Sequence, residues 1–139
     1  MNKSIGLVIP AYKPDIDRLE TYIKEGLVEL RYYPDDVKQS GISKNYWVMN
    51  HCIDEQKHKS KWIHFHAVDE FTFCKNDKTI PEFLEGFEEF GGLAVNWKLF
   101  GFGGHNERPE GLTFENFTEV NKFDGNCHVK TIIQPCKTN

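Results

Sequence analysis

The chain has 139 residues, a length that suits one domain over residues 1–139 whose core forms without disulfides or metal. Its formal net charge is −4 and its Lys and Arg residues form no basic run, which argues against a nucleic-acid partner. Its four Cys residues are scattered without a C-x-x-C pair, which argues against a zinc knuckle or a redox motif and predicts free thiols.

The first part of the chain carries the patterns of two strands and two helices. We predict a strand over 5–9, a helix over 15–24, a strand over 28–33 and a helix over 43–57. The first strand is a continuous apolar run, typical of a strand buried on both faces of a parallel sheet. Gly26 is expected to stop the first helix and Ser43 to cap the second. The apolar stretch before Pro10 is too short for a signal peptide or a membrane span, so we expect a cytoplasmic protein.

The second part alternates strands with short helices. We predict a strand from residue 62, a helix from 79 to about 91, a strand over 93–100, a glycine loop over 101–105, a helical turn over 113–120 and a strand over 128–133. Thr79 followed by Pro81 marks the start of the short helix. Strands that alternate with helices predict an α/β sandwich.

An acidic pair closes the strand that starts at Trp62. Residues 62–71 read WIHFHAVDEF, an apolar run that ends in Asp69 and Glu70. Open α/β sheets bind ligands in the crevice outside the carboxyl ends of their strands, so both carboxylates are candidates for chemistry. An acidic pair after a strand is also common as a solvated turn, and these residues alone leave that alternative open.

Five segments, in order, resemble the family 2-like glycosyltransferases that carry a GT-A nucleotide-sugar domain. They are IGLVIPAYKPD, WIHFHAVDEF, PEFLEGF, VNWKLFGFGGHNERPEG and VKTIIQP. The resemblance implies a GT-A-like, Rossmann-like three-layer α/β sandwich with a mostly parallel central sheet, in a compact or truncated form. It also implies an enzyme that moves a sugar from a nucleotide diphosphate sugar to a glycan acceptor.

The resemblance further implies a divalent metal, Mn²⁺ or Mg²⁺, at Asp69. This residue matches the second Asp of the family's D-x-D-E-F motif, and a metal held by carboxylates stabilises the leaving diphosphate as a Lewis acid. Ala67 stands where the family has the first Asp, so we expect the metal to bind weakly. His64 and His66 share the opposite face of the strand. They are either packed strand histidines or substitute ligands.

Substrate contacts are implied for two regions, after the first strand and around the glycine loop. The residues are Pro10, Ala11, Tyr12, Trp97, Gly103, Gly104 and His105. Glycines let a backbone approach a ligand closely, so the loop can present N–H groups to sugar hydroxyls or phosphate. A flexible turn with a surface histidine is the alternative for the loop. We expect Asp69 to face a cleft shared with Tyr12 and residues 101–105.

The transfer also requires a carboxylate base for the acceptor hydroxyl if it proceeds with inversion. Glu107 is the first candidate and Glu70 the second. Arg108 and Lys130 are either pyrophosphate contacts or surface cations. The competing hypothesis is a degenerate, non-catalytic domain that binds a sugar or a nucleotide, because the carboxylate is missing at Ala67.

Overall fold

A computed structural model describes most of the chain in six stretches. They are residues 6–8, 16–31, 44–67, 69–76, 78–120 and 127–138. The chain divides into two compact units, Met1–Cys52 and Ile53–Asn139. The expected contacts at Pro10, Ala11 and Tyr12 and the expected cap at Ser43 lie outside the described residues.

The first unit contains a parallel strand pair joined through a helix. Strand β1 (Gly6–Val8) pairs in parallel with β2 (Val28–Leu30), and helix α1 (Ile16–Lys24) lies between them in sequence. The helix ends as predicted at Gly26, which adopts a φ of 69°. There the N–H of Leu27 donates to the Tyr22 carbonyl at 2.9 Å. A left-handed residue with this bond is a common helix stop that satisfies the last carbonyls, and glycine adopts it without steric cost.

Helix α2 (Lys44–Gln56) spans the boundary between the two units. Its buried residues, Val48, Cys52 and Gln56, recur every fourth position and therefore form one stripe along the helix. The buried Gln56 is not left without a partner, because its side-chain oxygen accepts a hydrogen bond from the Ser60 hydroxyl at 3.1 Å. The predicted helix over 43–57 is confirmed within one residue at its described end.

The second unit is built on a three-stranded antiparallel sheet. Its strands are β3 (Ile63–His64), β4 (Gly92–Asn96) and β5 (Val129–Ile133). The last strand in sequence lies in the middle, in the order β3-β5-β4. The expectation of a mostly parallel central sheet is therefore wrong for this unit. Along β4 the residues alternate between half-buried and exposed, the pattern of a sheet with one solvated face, which antiparallel sheets permit.

Two short helices complete the second unit. Helix α3 (Ile80–Leu84) begins at the predicted Thr79, whose N–H donates to the Glu82 carboxylate at 2.8 Å while the Glu82 N–H donates to the Thr79 hydroxyl at 3.4 Å. This reciprocal capping satisfies two N–H groups that would otherwise lack partners. A 3₁₀ turn (Glu85–Phe87) follows α3, and helix α4 (Thr113–Asn116) is a single turn.

The buried residues of the second unit lie on and next to α3 and β5 and at the end of α2. They are Leu84, Ile132, Gln134, Pro135 and Gln56. The amide of Gln134 donates to the carbonyls of Glu88 and Phe90 at 2.8 and 2.6 Å, so a polar side chain joins the end of β5 to the segment after α3. The four cysteines, all within the described residues, form no disulfide with one another. Within the described stretches, no helix has the length and apolar character needed to cross a membrane.

Candidate functional site

The acidic pair lies just beyond β3, in a turn that the Glu70 side chain closes. The N–H of Glu70 donates to the Ala67 carbonyl at 3.1 Å. In the other direction, the N–H of Ala67 donates to one carboxylate oxygen of Glu70 at 2.7 Å. Two bonds in opposite directions between the same residues fix the turn that carries Asp69. We call the segment from Ala67 to Glu70 the acidic turn.

The second carboxylate oxygen of Glu70 forms an ion pair with Lys130 on β5. The ammonium lies 2.9 Å from this oxygen, and the Glu70 side chain is only 14% exposed. The same ammonium lies 5.9 Å from the centre of the Trp97 ring, within cation–π range. Since β5 is the central strand and pairs with both β3 and β4, the sheet register brings Lys130 to the acidic turn. Lys130 is therefore an ion-pair partner of Glu70.

The protonation state of Glu70 follows from these contacts. Burial pushes the pKa of its carboxyl upward, but the hydrogen bonds from Lys130 and Ala67 outweigh burial, and the net pKa is below the usual glutamate value. Glu70 is thus ionised at neutral pH. A general base works best when its pKa lies near the working pH, so a lowered pKa makes Glu70 a poor proton acceptor.

Two histidines flank the same carboxylate. The rings of His64 and His66 lie 4.8 Å apart, and Nδ1 of His66 lies 2.8 Å from the Ala67 carbonyl. Nε2 of His64 is buried and has no hydrogen-bond partner among the described residues. Burial lowers the pKa of His64, His66 and Lys130 lower it further, and Glu70 partly opposes them. His64 is therefore neutral at pH 7.

Asp69 is exposed at the acidic turn. The described residues contain no group of three or more His, Cys, Asp or Glu side chains arranged to hold a metal ion. Because Glu70 already binds Lys130 and the Ala67 N–H, Asp69 is the carboxylate of this turn that remains available. Mn²⁺ and Mg²⁺ sites often use one or two protein carboxylates together with substrate phosphates. The donor set therefore fits a metal that arrives with phosphate oxygens and does not fit a site made by protein alone.

Trp97 follows β4 and belongs to the packed side of the sheet. Its backbone N–H donates to the His128 carbonyl at 2.9 Å, and the two rings meet edge to face at 5.6 Å between centroids. Leu93, Val95 and Trp97 are half-buried while Ala94, Asn96 and Lys98 are exposed. The alternation stops after Lys98, since Leu99 and Phe100 are both exposed, and the expected substrate contact at Trp97 stays a prediction.

The glycine loop is held by its backbone. Gly103 and Gly104 have φ values of 58° and 81°, and the His105 N–H donates to the Phe102 carbonyl at 3.0 Å. Both φ values lie in the left-handed region that a side chain disfavours. His105 is exposed, and its ring meets Phe117 edge to face at 5.9 Å. The sharp turn thus presents an accessible imidazole at the end of the loop.

The acidic turn and the glycine loop both lie beside the segment around α4. Phe71, next to Glu70, packs edge to face on Phe114 of this helix at 5.8 Å, while His105 packs on Phe117 just after it. Phe71 and Phe114 remain 59% and 56% exposed. One short segment, residues 112–117, therefore contacts both Phe71 beside the acidic turn and His105 at the end of the glycine loop.

Comparison with known proteins assigns the family. Residues 12–139 match glycosyltransferase family 92. The chain belongs to this family. A curated relative from Arabidopsis thaliana, a galactan beta-1,4-galactosyltransferase, is 28% identical over 78 residues, which are 55% of this chain and 16% of the relative. The chain thus matches about one sixth of the length of that relative. No solved structure matches the chain.

The family 92 assignment refines the expectation drawn from the motifs. A glycosyltransferase family is confirmed, whereas the resemblance to family 2-like enzymes and the GT-A fold are not. In this family 92 chain, Glu107 and Arg108 are exposed beyond the glycine loop. The cleft that would unite Asp69, Tyr12 and the loop stays a prediction, because Tyr12 lies outside the described residues.

Two contacts of the candidate site were not foreseen from the sequence. They are the ion pair between Glu70 and Lys130 and the ring contact between Phe71 and Phe114. The signal for the first was a lysine within a predicted strand, and it becomes informative only once the neighbour of that strand is known. Phe114 gave no signal beyond being an apolar residue in a predicted helical turn.

Proposed function

We propose that this chain acts as a glycosyltransferase that moves a sugar from a nucleotide diphosphate sugar to a glycan acceptor, on a GT-A-like scaffold. The match of residues 12–139 to glycosyltransferase family 92 carries the proposal. The relative is named a galactosyltransferase that acts on galactan, so the first donor to test is UDP-galactose and the first acceptor a galactan oligosaccharide.

Asp69 is the residue to which we assign metal binding. An exposed carboxylate beside a turn fixed by Glu70 can bind a divalent ion that also binds the donor diphosphate. Once bound, Mn²⁺ or Mg²⁺ would supply Lewis-acid stabilisation of the leaving diphosphate. Glu70 keeps the turn in place, and we assign the ion to Asp69 instead, because one oxygen of Glu70 accepts from the Ala67 N–H and the other pairs with Lys130.

We assign substrate contacts to the two regions indicated by the sequence. His105 and the N–H groups of Gly103 and Gly104 would contact the sugar, since the loop is sharply turned and its histidine is exposed. Pro10, Ala11 and Tyr12 would contact the nucleotide base. Glu107 is the proposed base for the acceptor hydroxyl, because its carboxylate is exposed whereas that of Glu70 is paired with Lys130.

A second candidate function is a non-catalytic domain that binds a sugar or a nucleotide. Ala67 supplies no carboxylate, and the described residues hold no three-ligand metal group, which favours this alternative. It predicts binding of a nucleotide sugar without release of nucleoside diphosphate. The two functions therefore differ in turnover and not in binding.

A thermal-shift screen of nucleotide sugars with and without Mn²⁺ tests the proposal. We expect UDP-galactose with Mn²⁺ to raise the melting temperature and UDP-galactose alone to raise it less, because ligands that bind only the folded chain stabilise it. Ala67→Asp should bind Mn²⁺ with UDP at least tenfold more tightly than the natural chain, because it restores a carboxylate next to Asp69.

Three outcomes are informative. Stabilisation with release of UDP supports the transferase. Stabilisation without release of UDP or transfer under any metal condition favours the binding domain. Equal affinity of the Ala67→Asp variant and the natural chain would show that position 67 does not face the metal, and the assignment of Asp69 would then be wrong.

A further inference from the structure

We propose that Lys130 is a positioning residue that holds the acidic turn, and with it Asp69, through the Glu70 carboxylate. The inference rests on the proposed function, since it gives Lys130 a role at the donor site of the transferase. Lys130 contacts neither donor nor metal in this account. It acts through Glu70.

The carboxylate of Glu70 has two partners on its two oxygens. One oxygen accepts from the Ala67 N–H at 2.7 Å inside the turn, and the other lies 2.9 Å from the Lys130 ammonium on β5. The carboxylate therefore joins a local turn to the central strand of the sheet. Without Lys130, the turn would keep only its local bonds.

Glu70 is shielded enough for this ion pair to matter. Its side chain is 14% exposed, whereas ion pairs between fully exposed side chains contribute little because water screens them. Removing one partner of a shielded pair leaves the other charge without compensation, which costs more than the loss of an exposed pair. A carboxylate without Lys130 would rotate toward water and release the Ala67 N–H.

The Trp97 ring and the central position of β5 hold Lys130 in place. Its ammonium lies 5.9 Å from the centre of the Trp97 ring, and its backbone belongs to the strand that pairs with both neighbours. The Lys130 side chain is 37% exposed, so the pair is shielded from water mainly on the Glu70 side. Lys130, fixed over the half-buried Trp97 ring, therefore stabilises the acidic turn, which would otherwise depend on its own hydrogen bonds.

Lys130→Met, Lys130→Arg and Lys98→Met in the full chain test the inference. Lys98 is the matched control, because it is an exposed lysine just after β4 in the same unit. The readouts are hydrogen exchange at the Ala67 amide and the affinity for UDP with Mn²⁺ by calorimetry. Each variant is first compared with the natural chain in melting temperature, so that unfolding is not mistaken for loss of the turn.

We expect Lys130→Met to speed exchange at the Ala67 amide and to weaken UDP binding with Mn²⁺ by about tenfold, within the range usual for residues that orient a metal ligand. Lys130→Arg should keep most of the protection of the Ala67 amide and most of the UDP affinity, because it keeps the positive charge. Lys98→Met should change neither. If Lys130→Met does not fold, Glu70→Gln replaces it and should weaken UDP binding by a similar factor, since it removes the charge and keeps the shape.

The outcomes separate this inference from the proposed function. Unchanged Ala67 exchange in folded Lys130→Met would overturn the positioning role, whatever the chain binds. Faster exchange with unchanged UDP affinity would overturn it as well, because the turn would then not serve the donor. If the natural chain binds no nucleotide sugar or UDP with Mn²⁺, the proposed function is wrong and the role of Lys130 at a donor site is wrong with it.

Discussion

The acidic turn and the glycine loop lie against the same short segment but are held by different means. The acidic turn is stabilised by a side chain, because the Glu70 carboxylate binds both the Ala67 N–H and Lys130 on β5. The glycine loop is stabilised by its backbone conformation, with left-handed φ values at Gly103 and Gly104. A structure held by charge depends on pH and on remote residues, whereas one held by glycine depends on its own sequence.

The largest loss of stability is expected at Trp97, whose ring lies under the Lys130 ammonium. Trp97→Ala should destabilise the fold by about 2–3 kcal/mol, less than the roughly 3–5 kcal/mol typical of a fully buried aromatic, because the ring is half-buried. Urea unfolding gives this value. Phe102→Ala is the control, since Phe102 is 68% exposed in the loop. Equal losses for the two variants would contradict a supporting role for Trp97.

A smaller loss of stability is expected in the glycine loop. Gly104→Ala should cost about 1–2 kcal/mol, because a φ of 81° is disfavoured for a residue with a side chain, although a Cβ would meet no atom within 4 Å. The control is Gly86→Ala in the 3₁₀ turn, where a Cβ also meets nothing within 4 Å and φ is not left-handed. We expect Gly86→Ala to be neutral or slightly stabilising. If Gly104→Ala and Gly86→Ala lower the free energy of unfolding in urea by the same amount, the backbone conformation does not stabilise the glycine loop.

The region around the turn should also respond to pH more than the loop does. Because the pKa of His64 is lowered in the folded state by burial and by His66 and Lys130, the unfolded chain binds more protons. The contribution of His64 to the free energy of unfolding should therefore be fully present above about pH 6.5 and should be lost as the pH drops below it. His64→Gln should flatten this part of the curve, because it removes the group whose pKa differs between the folded and unfolded chains. A His64→Gln curve parallel to that of the natural chain would show that His64 does not titrate as described.

The smallest effect on stability is expected at His105. His105→Ala should change the free energy of unfolding by no more than about 0.5 kcal/mol, because the side chain is exposed and makes one ring contact. The same variant should lose most of the transfer activity if the loop contacts the sugar. Denaturant unfolding and a donor-consumption assay on the same preparation measure both. Full activity in this variant would make the loop a structural turn.

Local features of the fold were predictable because short stretches of sequence determine them. Gly26 ends α1 and Thr79 caps the start of α3, both as predicted. The direction of strand pairing in the second unit was not predictable, because a run such as residues 62–71 does not record which strand lies beside it. Among the described residues of that run, only Ile63–His64 forms a strand, and its neighbour β5 runs antiparallel to it.

The roles assigned to the residues of the candidate site stay predictions. Asp69 and His105 were indicated by motifs, and both are exposed where a substrate can reach them. The partner of Glu70 was not foreseen as such, since Lys130 meets it only because β5 lies between β3 and β4. Contacts between residues far apart in sequence follow from sheet order, which the pattern of a single strand does not contain.

The most direct test of the account is transfer of galactose from UDP-galactose to a galactan oligosaccharide, measured by mass spectrometry of the acceptor. We predict that the natural chain with Mn²⁺ lengthens the acceptor. Asp69→Asn should lose this activity at an unchanged melting temperature, while Asp54→Asn, at an exposed position on α2, should keep it. Equal activity of Asp69→Asn and the natural chain would contradict the assigned site. If a panel of nucleotide sugars and glycan acceptors yields no product with the natural chain, the proposed transferase function is wrong.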